Sequence, residues 1–260
     1  MSEFNWIRYY SENRVDHIVL ARPDKRNAMN AEMVNELREA VHYSYENKES
    51  RALLLKAEGK AFSAGADLGY IQHLQENTYQ DNVQDSRNMM SLFQELYYHP
   101  KLIVAQVEGP AIAGGCGMAT LADFIFSVPE AQFGYTEARI GFIPAMVMVF
   151  LIRKLGENKA RQLLLTSKLI SSEEARSMGL VYRVVDYEKI ETEVQEFIQQ
   201  TISNNSGDSI AYIRQMIGEV QNMPLDEALS YAAEKNAMAR STEDCKRGIE
   251  AFLNKEKVNW

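Results

Sequence analysis

Two glycine-bearing turns are the first places in the sequence where chemistry could occur. The segment Phe62-Ser-Ala-Gly-Ala-Asp67 follows a predicted strand at 51–56, and Gly109-Pro-Ala-Ile-Ala-Gly-Gly-Cys-Gly117 follows one at 102–107. Each turn leads into a predicted helix, whose first N–H groups lack acceptors and lie at the positive end of the helix dipole. Together the turns could supply two N–H donors to one carbonyl oxygen that becomes an anion. The alternative is that each turn needs glycine only for tight packing.

Glu137 is the candidate acid/base group. It lies in the segment 131–144, which is mostly small or apolar, and such surroundings raise the pKa of a carboxyl group toward a value useful for proton transfer. The alternative is a surface ion pair between Glu137 and Arg139 with no chemical role. If the first interpretation holds, the two turns and Glu137 form one site.

Other kinds of catalytic centre have no support in the sequence. It contains no phosphate-binding GxxxxGK[ST] loop, no HExxH zinc motif and no GxSxG nucleophile elbow. The histidines are widely spaced and form no metal-ligand pair with a cysteine, so we assign structural or solvated roles to His17, His42, His73 and His99. We therefore expect no metal centre.

Composition limits the partners and the compartment. The chain has 260 residues, of which 46% are hydrophobic and 25% charged, and its net charge is -8. This balance lacks the positive field that attracts nucleic acid, and the longest apolar run, 145–152, is far shorter than the ~20 residues of a membrane span. Cys116 and Cys245 are too far apart in the sequence for a disulfide framework, so reduced thiols are expected. With no targeting segment visible, the sequence predicts a cytoplasmic protein that binds neither nucleic acid nor membrane.

The elements that must position the two turns and Glu137 alternate between strand and helix. Strands are predicted at 15–22, 51–56, 102–107, 124–127 and 182–185, and helices over 114–121 and after a cap at Asn30. A capping box at Ser171 to Glu174 starts a helix that ends near Gly179. The polar stretch 76–87 is either a loop or the exposed start of the helix through Met89 and Leu96, and we favour a loop followed by the helix. This alternation indicates an α/β protein.

A change in composition at 203–208 marks the expected domain boundary. The sequence there is Ser-Asn-Asn-Ser-Gly-Asp, and the helical pattern that begins at Glu188 continues beyond it almost to the end. The last fifty or so residues are too few to bury a core of their own, so we expect them to pack on the main domain or on another subunit.

In these turns, in Glu137 and in further segments, the chain resembles the crotonase superfamily, the enoyl-CoA hydratase/isomerase group. The resemblance runs from Arg22-Pro-Asp-Lys-Arg-Asn-Ala to Phe252 and rests on these pieces, in family order: Ala64-Gly-Ala-Asp67, Ile112-Ala-Gly-Gly-Cys-Gly117, Asp123, Ala131-Gln-Phe-Gly134, Glu137, Ile140-Gly-Phe-Ile-Pro144, and the capping-box helix with Gly179-Leu180. It implies an α/β fold in which a crotonase-like spiral of ββα units (1–203) binds acyl-CoA. The helical C-terminal region (204–260) would pack on this core and on neighbouring subunits, in a homotrimer or a dimer of trimers. The substrate would be an acyl-CoA thioester, with no metal or redox cofactor, because coenzyme A is part of the substrate.

The resemblance also implies roles for individual residues. The backbone N–H groups of Ala66 and Gly114 would hold the thioester oxygen, and Glu137 would act on water. The other expected substrate contacts are Asp67 and Leu68 along the pantetheine, Ala64 near the adenine, Gly117 in the site, and Lys25, Arg26 and Lys255 at the CoA phosphates. Tyr70, Tyr135, Met146 and Met148 could line the acyl pocket, although such residues equally fill cores.

Gly117 departs from the pattern of the common hydratases of the family, which have a second glutamate at this position. Branches with one glutamate include Δ3,Δ2-enoyl-CoA isomerases and some bacterial 3-methylglutaconyl-CoA hydratases, and the form Ile140-Gly-Phe-Ile-Pro144 resembles the latter. The resemblance therefore implies an enoyl-CoA hydratase, a lyase, that acts on 3-methylglutaconyl-CoA in leucine degradation. Two alternatives stay open, an isomerase with a single glutamate and a non-catalytic acyl-CoA-binding subunit.

Overall fold

The predicted α/β architecture is confirmed in the computed structural model, which describes residues 4–258 and 260. A six-stranded sheet has the order β1-β2-β3-β4-β6-β9, and a second sheet has the order β5-β7-β8. In the first sheet, β1 is antiparallel to β2 and the remaining neighbours are parallel. The strands are β1 (Ile7–Glu12), β2 (Val15–Leu20), β3 (Ala52–Ala57), β4 (Leu102–Val107), β5 (Ala111–Ile112), β6 (Phe124–Ser127), β7 (Gln132–Gly134), β8 (Ile170–Ser171) and β9 (Arg183–Val184).

Helices follow the strands and continue alone after β9. Short 3₁₀ turns lie at Pro23–Lys25 and Glu137–Ile140. The α-helices are α1 (Ala31–Glu46), α2 (Leu68–Leu74), α3 (Tyr79–Tyr97), α4 (Gly114–Thr120), α5 (Ala145–Leu155), α6 (Glu157–Thr166), α7 (Ser172–Met178), α8 (Tyr187–Asn204), α9 (Gly207–Val220), α10 (Leu225–Ser241) and α11 (Glu243–Asn254). Among the described residues, none of these helices combines the length and the apolar composition of a bilayer span.

A strand of the main sheet, a shorter extended segment and a helix form the repeating unit that carries the site. In one unit β4 leads to β5 and then to α4. In the preceding unit β3 leads to an extended segment whose Ser63 bridges to Ala111 and whose Ala66 bridges to Met29, and then to α2. Every residue of β2 and of β4 is buried, as expected for parallel strands covered on both faces. This rigid sheet fixes where the two glycine turns begin.

Several local predictions are confirmed by the described structure. Asn30 caps α1 by accepting from the N–H of Met33 at 3.0 Å. The capping box at Ser171 and Glu174 starts α7, which ends at Gly179, where the backbone has a φ of 87°. The strands predicted at 102–107 and 124–127 have these same bounds.

The loop predicted over 76–87 is wrong, because α3 begins at Tyr79. Thr78 caps it by accepting from the N–H of Asp81, whose carboxylate accepts from the Thr78 N–H in return. The fully buried residues of α3, Leu92, Phe93 and Leu96, all lie in its second half. Its first turns therefore carry no apolar periodicity, although the hydrogen bonds of the cap start the helix there. Strand β1 was also absent from the sequence-based prediction.

The C-terminal helices begin where the composition changes, since α8 ends at Asn204 and α9 begins at Gly207. Arg214 ties α9 to the core through an ion pair with Asp123 and a hydrogen bond to the backbone oxygen of His99 at 2.7 Å. In contrast, α10 has no buried residue and exposes Leu225, Leu229 and Met238. The division of the chain into a core of residues 1–203 and a C-terminal region of residues 204–260 stays a prediction. Residues 1–3 of the first region and residue 259 of the second lie outside the described residues.

Candidate active site

The two glycine turns touch at Gly65. Its φ of 90° favours glycine, and a Cβ placed on it would lie 2.8 Å from Ala113 Cβ and 3.2 Å from Gly114 N. These distances are too short for a side chain, so Gly65 permits the close approach of two segments that are nearly fifty residues apart in the sequence. The contact brings Ala66 and Gly114 to neighbouring positions.

Ala66 and Gly114 both present backbone N–H groups without acceptors in the described part of the chain. Met29 N donates to Gly65 O at 2.7 Å and Asp67 N donates to Met29 O at 2.8 Å, so the N–H of Ala66, between them, is left out of this pairing. Gly114 is the first residue of α4 and has no preceding helical carbonyl to bond. The pair of donors predicted from the sequence is therefore geometrically available.

Ala113, which directly precedes Gly114, has a strained backbone. Its φ of 52° and ψ of -127° are rare for a residue with a side chain, and such conformations cost about 1–3 kcal/mol each. A hydrogen bond from Ala113 N to Gly134 O at 2.8 Å helps to hold this conformation. Strain of this kind concentrates at functional sites because it fixes the direction of nearby groups, here the N–H of Gly114.

Glu137 lies half-buried in the 3₁₀ turn after β7. Burial raises its pKa above the ordinary value of 4.5, and a hydrogen bond to its own backbone opposes this only in part. Its Oε2 is enclosed and has no hydrogen-bond partner among the described residues. Arg139 instead donates to the backbone oxygen of Ser167, so the alternative of a surface pair between Glu137 and Arg139 is not what the structure contains.

The residues packed behind Glu137 are buried and tightly bonded. The hydroxyl of Tyr135 lies 2.9 Å from Thr120 Oγ1, which donates to the backbone oxygen of Cys116 at 2.8 Å. Burial, with a smaller contribution from the charge of Glu137, raises the pKa of the Cys116 thiol to about 12. Cys116 is therefore an unreactive thiol that packs beside the site.

Val147, from α5, fills the space next to Gly117. A Cβ placed on Gly117 would lie 2.0 Å from Val147 Cγ1 and 3.7 Å from Phe93 Cε2. Val147 is only 5% exposed. The surroundings of Gly117 are thus apolar, and no second carboxylate is present at position 117.

Lys25 and Arg26 are exposed on the turn after β2, at the carboxyl end of the parallel strands, and Ala64 N donates to Arg26 O at 2.9 Å. The structure therefore brings three of the expected CoA contacts together. Lys255 lies elsewhere in the same chain. It follows the last residue of α11 and lies five positions before Trp260, whose backbone oxygen accepts from Arg14, next to the amino end of β2. Within one protomer the structure thus does not join Lys255 to the other two basic residues.

Asp67 has a structural task that the sequence did not reveal. Its carboxylate forms an ion pair with Arg22 at 2.7 Å and caps α2 by accepting from the N–H groups of Gly69 and Tyr70. Burial by itself raises its pKa, but the hydrogen bonds from Arg22, Tyr70 and Gly69 lower it overall. Leu68, the next residue, is 66% exposed and remains open to a ligand.

Asn27 is a further organising residue that sequence reasoning missed. It is fully buried, and its Oδ1 accepts from Arg22 N at 2.8 Å. Its Nδ2 donates to Glu58 O at 2.8 Å and to Ala61 O at 2.9 Å. The side chain therefore ties the turn after β2 to the turn after β3. A polar residue between Arg26 and the apolar Ala28-Met29 was the only local signal.

A cavity of about 320 Å³ opens beside Ala66. Of the suggested acyl-pocket residues, Tyr70 and Met146 line it. Tyr135 is instead buried in the core and Met148 is 40% exposed, and neither is part of the lining. The lining residues are Met29, Asn30, Ala31, Val34, Ala66, Tyr70, Ile71, Leu74, Gln75, Asn82, Asp85, Ser86, Asn88, Met89, Phe142 and Met146.

Comparisons with a family model, with curated proteins and with solved structures all find enoyl-CoA hydratases or their family. The family model for enoyl-CoA hydratase/isomerase matches residues 11–260. The chain is 37% identical over 238 residues to a Thermus thermophilus protein named "Putative enoyl-CoA hydratase", covering 92% of this chain and 94% of that protein. It is 29% identical over 255 residues to a crotonyl-CoA hydratase of Syntrophomonas wolfei, covering 96% and 95%. The crystal structure of an enoyl-CoA hydratase from Shewanella pealeana superposes with a TM-score of 0.93 at 26% identity, over 99% and 97% of the chains.

Proposed function

The chain belongs to the enoyl-CoA hydratase/isomerase family, and from this premise we propose that it adds water to the double bond of a 2-enoyl-CoA thioester. The observation that carries the proposal is the contact of Gly65 with Ala113 and Gly114, which brings the two glycine turns together while the N–H groups of Ala66 and Gly114 have no acceptor among the described residues. Donors in this arrangement stabilise a thioester oxygen as it gains negative charge.

The negative charge on the thioester oxygen develops when water attacks C3 of the enoyl group. Hydrogen bonds from Ala66 and Gly114 stabilise the resulting enolate, and loss of one such donor typically costs about 3 kcal/mol. The strained Ala113 and the turn at Gly65 hold both donors in place before the substrate arrives. No reorganisation is then needed during the reaction.

Glu137 moves the proton. As a carboxylate it takes a proton from the attacking water while the water oxygen bonds to C3, and as a carboxylic acid it returns that proton to C2 of the enolate. One carboxyl group is enough to balance the proton transfers of the reaction, so the absence of a carboxylate at Gly117 does not prevent hydration. The raised pKa of Glu137 suits both halves of this cycle.

The acyl group predicted from the sequence is that of 3-methylglutaconyl-CoA, an intermediate of leucine degradation. Its support is the glycine at position 117 and the segment Ile140–Pro144, which resemble the one-glutamate branch. A second candidate reaction, isomerisation between 3-enoyl-CoA and 2-enoyl-CoA, is favoured by the apolar Val147 that packs against Gly117, because this reaction needs a proton shuttle but no bound water.

The test is hydration of 3-methylglutaconyl-CoA and of crotonyl-CoA in water labelled with heavy oxygen, by the wild type and by Glu137→Gln. Loss of the conjugated thioester absorbance and labelled oxygen in a Glu137-dependent product are expected. Conversion of a 3-enoyl-CoA without label would identify an isomerase. Tight binding of acyl-CoA with no turnover of either type would identify a non-catalytic binding subunit.

We further propose that substrate binding and assembly are linked. Lys25 and Arg26 would contact the CoA phosphates, with Ala64 at the adenine and Asp67 and Leu68 along the pantetheine. Because Lys25 and Arg26 follow the carboxyl end of β2, whereas the segment after Lys255 contacts Arg14 at the amino end of β2, Lys255 would reach the phosphates of a substrate held by a neighbouring subunit. The exposed apolar residues of α10 support the homotrimer or dimer of trimers, which light scattering of the purified protein would test.

A further inference from the structure

The cavity beside Ala66 carries an unpaired negative charge. Asp85, from α3, is the only carboxylate in the lining, and none of the lining residues is Lys, Arg or His. Among the described residues, Asp85 forms no ion pair. The lining of the cavity therefore carries a negative charge.

Arg38 and Arg87 lie near Asp85, but neither forms an ion pair with it among the described residues. Arg38 is bound to Glu95, with Arg38 Nε 3.0 Å from Glu95 Oε1, and its Nη1 donates to Asn88 Oδ1 at 2.8 Å. Arg87 is exposed and lines, together with Arg38 and Asp85, a second pocket next to the cavity. Neither of the two arginines lines the cavity.

Some hydrogen-bond acceptors in the lining of the cavity have no donor among the described residues. The hydroxyl of Tyr70 donates to Asp85 Oδ1, so the single hydrogen of Tyr70 is used and Asp85 Oδ2 remains. Asn82, which lies almost one turn before Asp85, has a buried Oδ1 with no donor in the described part of the chain. The carboxylate, the amide oxygen and the phenol oxygen together give this lining a negative potential.

We infer that the cavity receives an uncharged acyl chain, and that Asp85 makes the protein discriminate against acyl groups that end in a carboxylate. The inference rests on the proposed binding of acyl-CoA and specifies its substrate class. A second carboxylate in a cavity of about 320 Å³ would meet Asp85 with no cation between them, and like charges placed together oppose binding strongly. Crotonyl-CoA is thus ranked above 3-methylglutaconyl-CoA, the reverse of the ranking taken from the sequence.

Calorimetric titration with butyryl-CoA and glutaryl-CoA tests the inference without turnover. The two ligands share the CoA part and lack a reactive double bond, and only glutaryl-CoA ends in a carboxylate. The wild type should bind butyryl-CoA at least about tenfold more tightly. Asp85→Asn should reduce this ratio by about tenfold, through tighter binding of glutaryl-CoA.

Two matched variants separate the charge from other effects. Tyr70→Phe removes the hydrogen bond but keeps the carboxylate, so the preference for butyryl-CoA should persist. Glu130→Gln removes one negative charge from an exposed turn outside the cavity and should leave the ratio unchanged. Thermal unfolding of Asp85→Asn confirms that it is folded.

The outcomes distinguish this inference from the proposed function. If both ligands bind the wild type equally well, or if Asp85→Asn leaves their ratio as it was, the role of Asp85 is overturned while acyl-CoA binding stands. If neither ligand binds, the proposed function itself fails, and the inference falls with it.

Discussion

Val147 occupies the space that any side chain on Gly117 would need. A Cβ at position 117 would lie 2.0 Å from Val147 Cγ1 and 2.8 Å from Val147 Cβ. The two residues come from α4 and α5, which pack directly against each other. Position 117 therefore cannot carry a carboxylate unless position 147 becomes smaller.

Gly117→Ala is expected to destabilise the fold by about 1–3 kcal/mol, because it overpacks the contact with Val147. In a Val147→Ala background the added cost of Gly117→Ala should fall below about 1 kcal/mol, since the two residues share one space. Urea unfolding of the single and double variants measures this coupling. Gly69→Ala is the control, because a Cβ there meets only Asp67 Oδ1, at 3.3 Å. Additive free energies for the pair would contradict the contact.

Gly65→Ala is expected to lower kcat by about 10²–10³-fold, the effect of displacing one oxyanion donor. The new methyl group would press on Ala113 Cβ and Gly114 N and would also be strained by the positive φ. Gly59→Ala is a matched control, with a φ of 85° and a Cβ that would lie 2.6 Å from Pro23 Cβ, away from both donors. It should lose stability but keep kcat. Equal losses of kcat in both variants would point to general unfolding.

In a plot of kcat/KM against pH, the loss of activity toward acidic pH is expected to have its midpoint above pH 4.5, the ordinary pKa of a glutamic acid. Burial raises the pKa of Glu137, and the reaction begins with its carboxylate, so activity should fall as the pH drops through this raised value. A rate that stays constant well below the ordinary pKa would exclude Glu137 as the base.

The same shift predicts a stability effect of opposite sign to the activity effect. Because the folded state holds the proton of Glu137 more tightly than the unfolded chain, its contribution to stability is present below the unfolded pKa and is lost as the pH rises through the folded pKa. Glu137→Gln should therefore be inactive yet at least as stable as the wild type at neutral pH. Thermal unfolding at pH 7 checks this, and a clear loss of stability would assign Glu137 a structural role.

Asp16 is expected to support the fold without affecting catalysis. It is fully buried at the amino end of β2, away from the glycine turns, and it accepts from Ser44 Oγ at 2.7 Å and from Lys101 Nζ at 3.1 Å. Asp16→Ala should cost about 3–5 kcal/mol, because it leaves Lys101 without its charged partner. The folded fraction should keep its kcat. Glu157→Gln, in an exposed pair with Arg161, is the control and should cost less than about 1 kcal/mol.

The stabilisation by Asp16 should also depend on pH. Burial alone would raise its pKa, but hydrogen bonds from Ser11, Ser50 and Ser44 and the charge of Lys101 lower it overall. A lowered pKa contributes stability above the unfolded value, and this is lost as the pH falls through the folded value. Urea unfolding at a series of acidic pH values should show the wild type converging on Asp16→Ala. Parallel curves would contradict the shift.

Much of the local structure could be predicted from the sequence because its signals are local. The cap at Asn30, the capping box at Ser171 and the apolar strand at 102–107 each depend on neighbouring residues, and each is confirmed. The start of α3 was missed because its capping residues, Thr78 and Asp81, precede an exposed face without apolar periodicity.

The groups proposed for the site were also predicted from local patterns in the sequence. A glycine turn between a strand and a helix offers backbone N–H donors, and the sequence contains two such turns. The apolar neighbours of Glu137 in the sequence indicate a raised pKa for its carboxyl group. The buried Asn27 was missed because its partners, Glu58 and Ala61, lie 31 and 34 residues away in the sequence.

By itself, then, the sequence determined the kinds of group available: two glycine turns at helix starts, one carboxyl group in apolar surroundings and an acidic chain without a metal motif. Only the tertiary structure decided that Gly65 meets Ala113, that Val147 fills the space beside Gly117, and that Asp85 faces the cavity next to Ala66. The physical reason is that periodicity and capping report which face of an element is buried, whereas the partners across that face are chosen by how strands and helices pack.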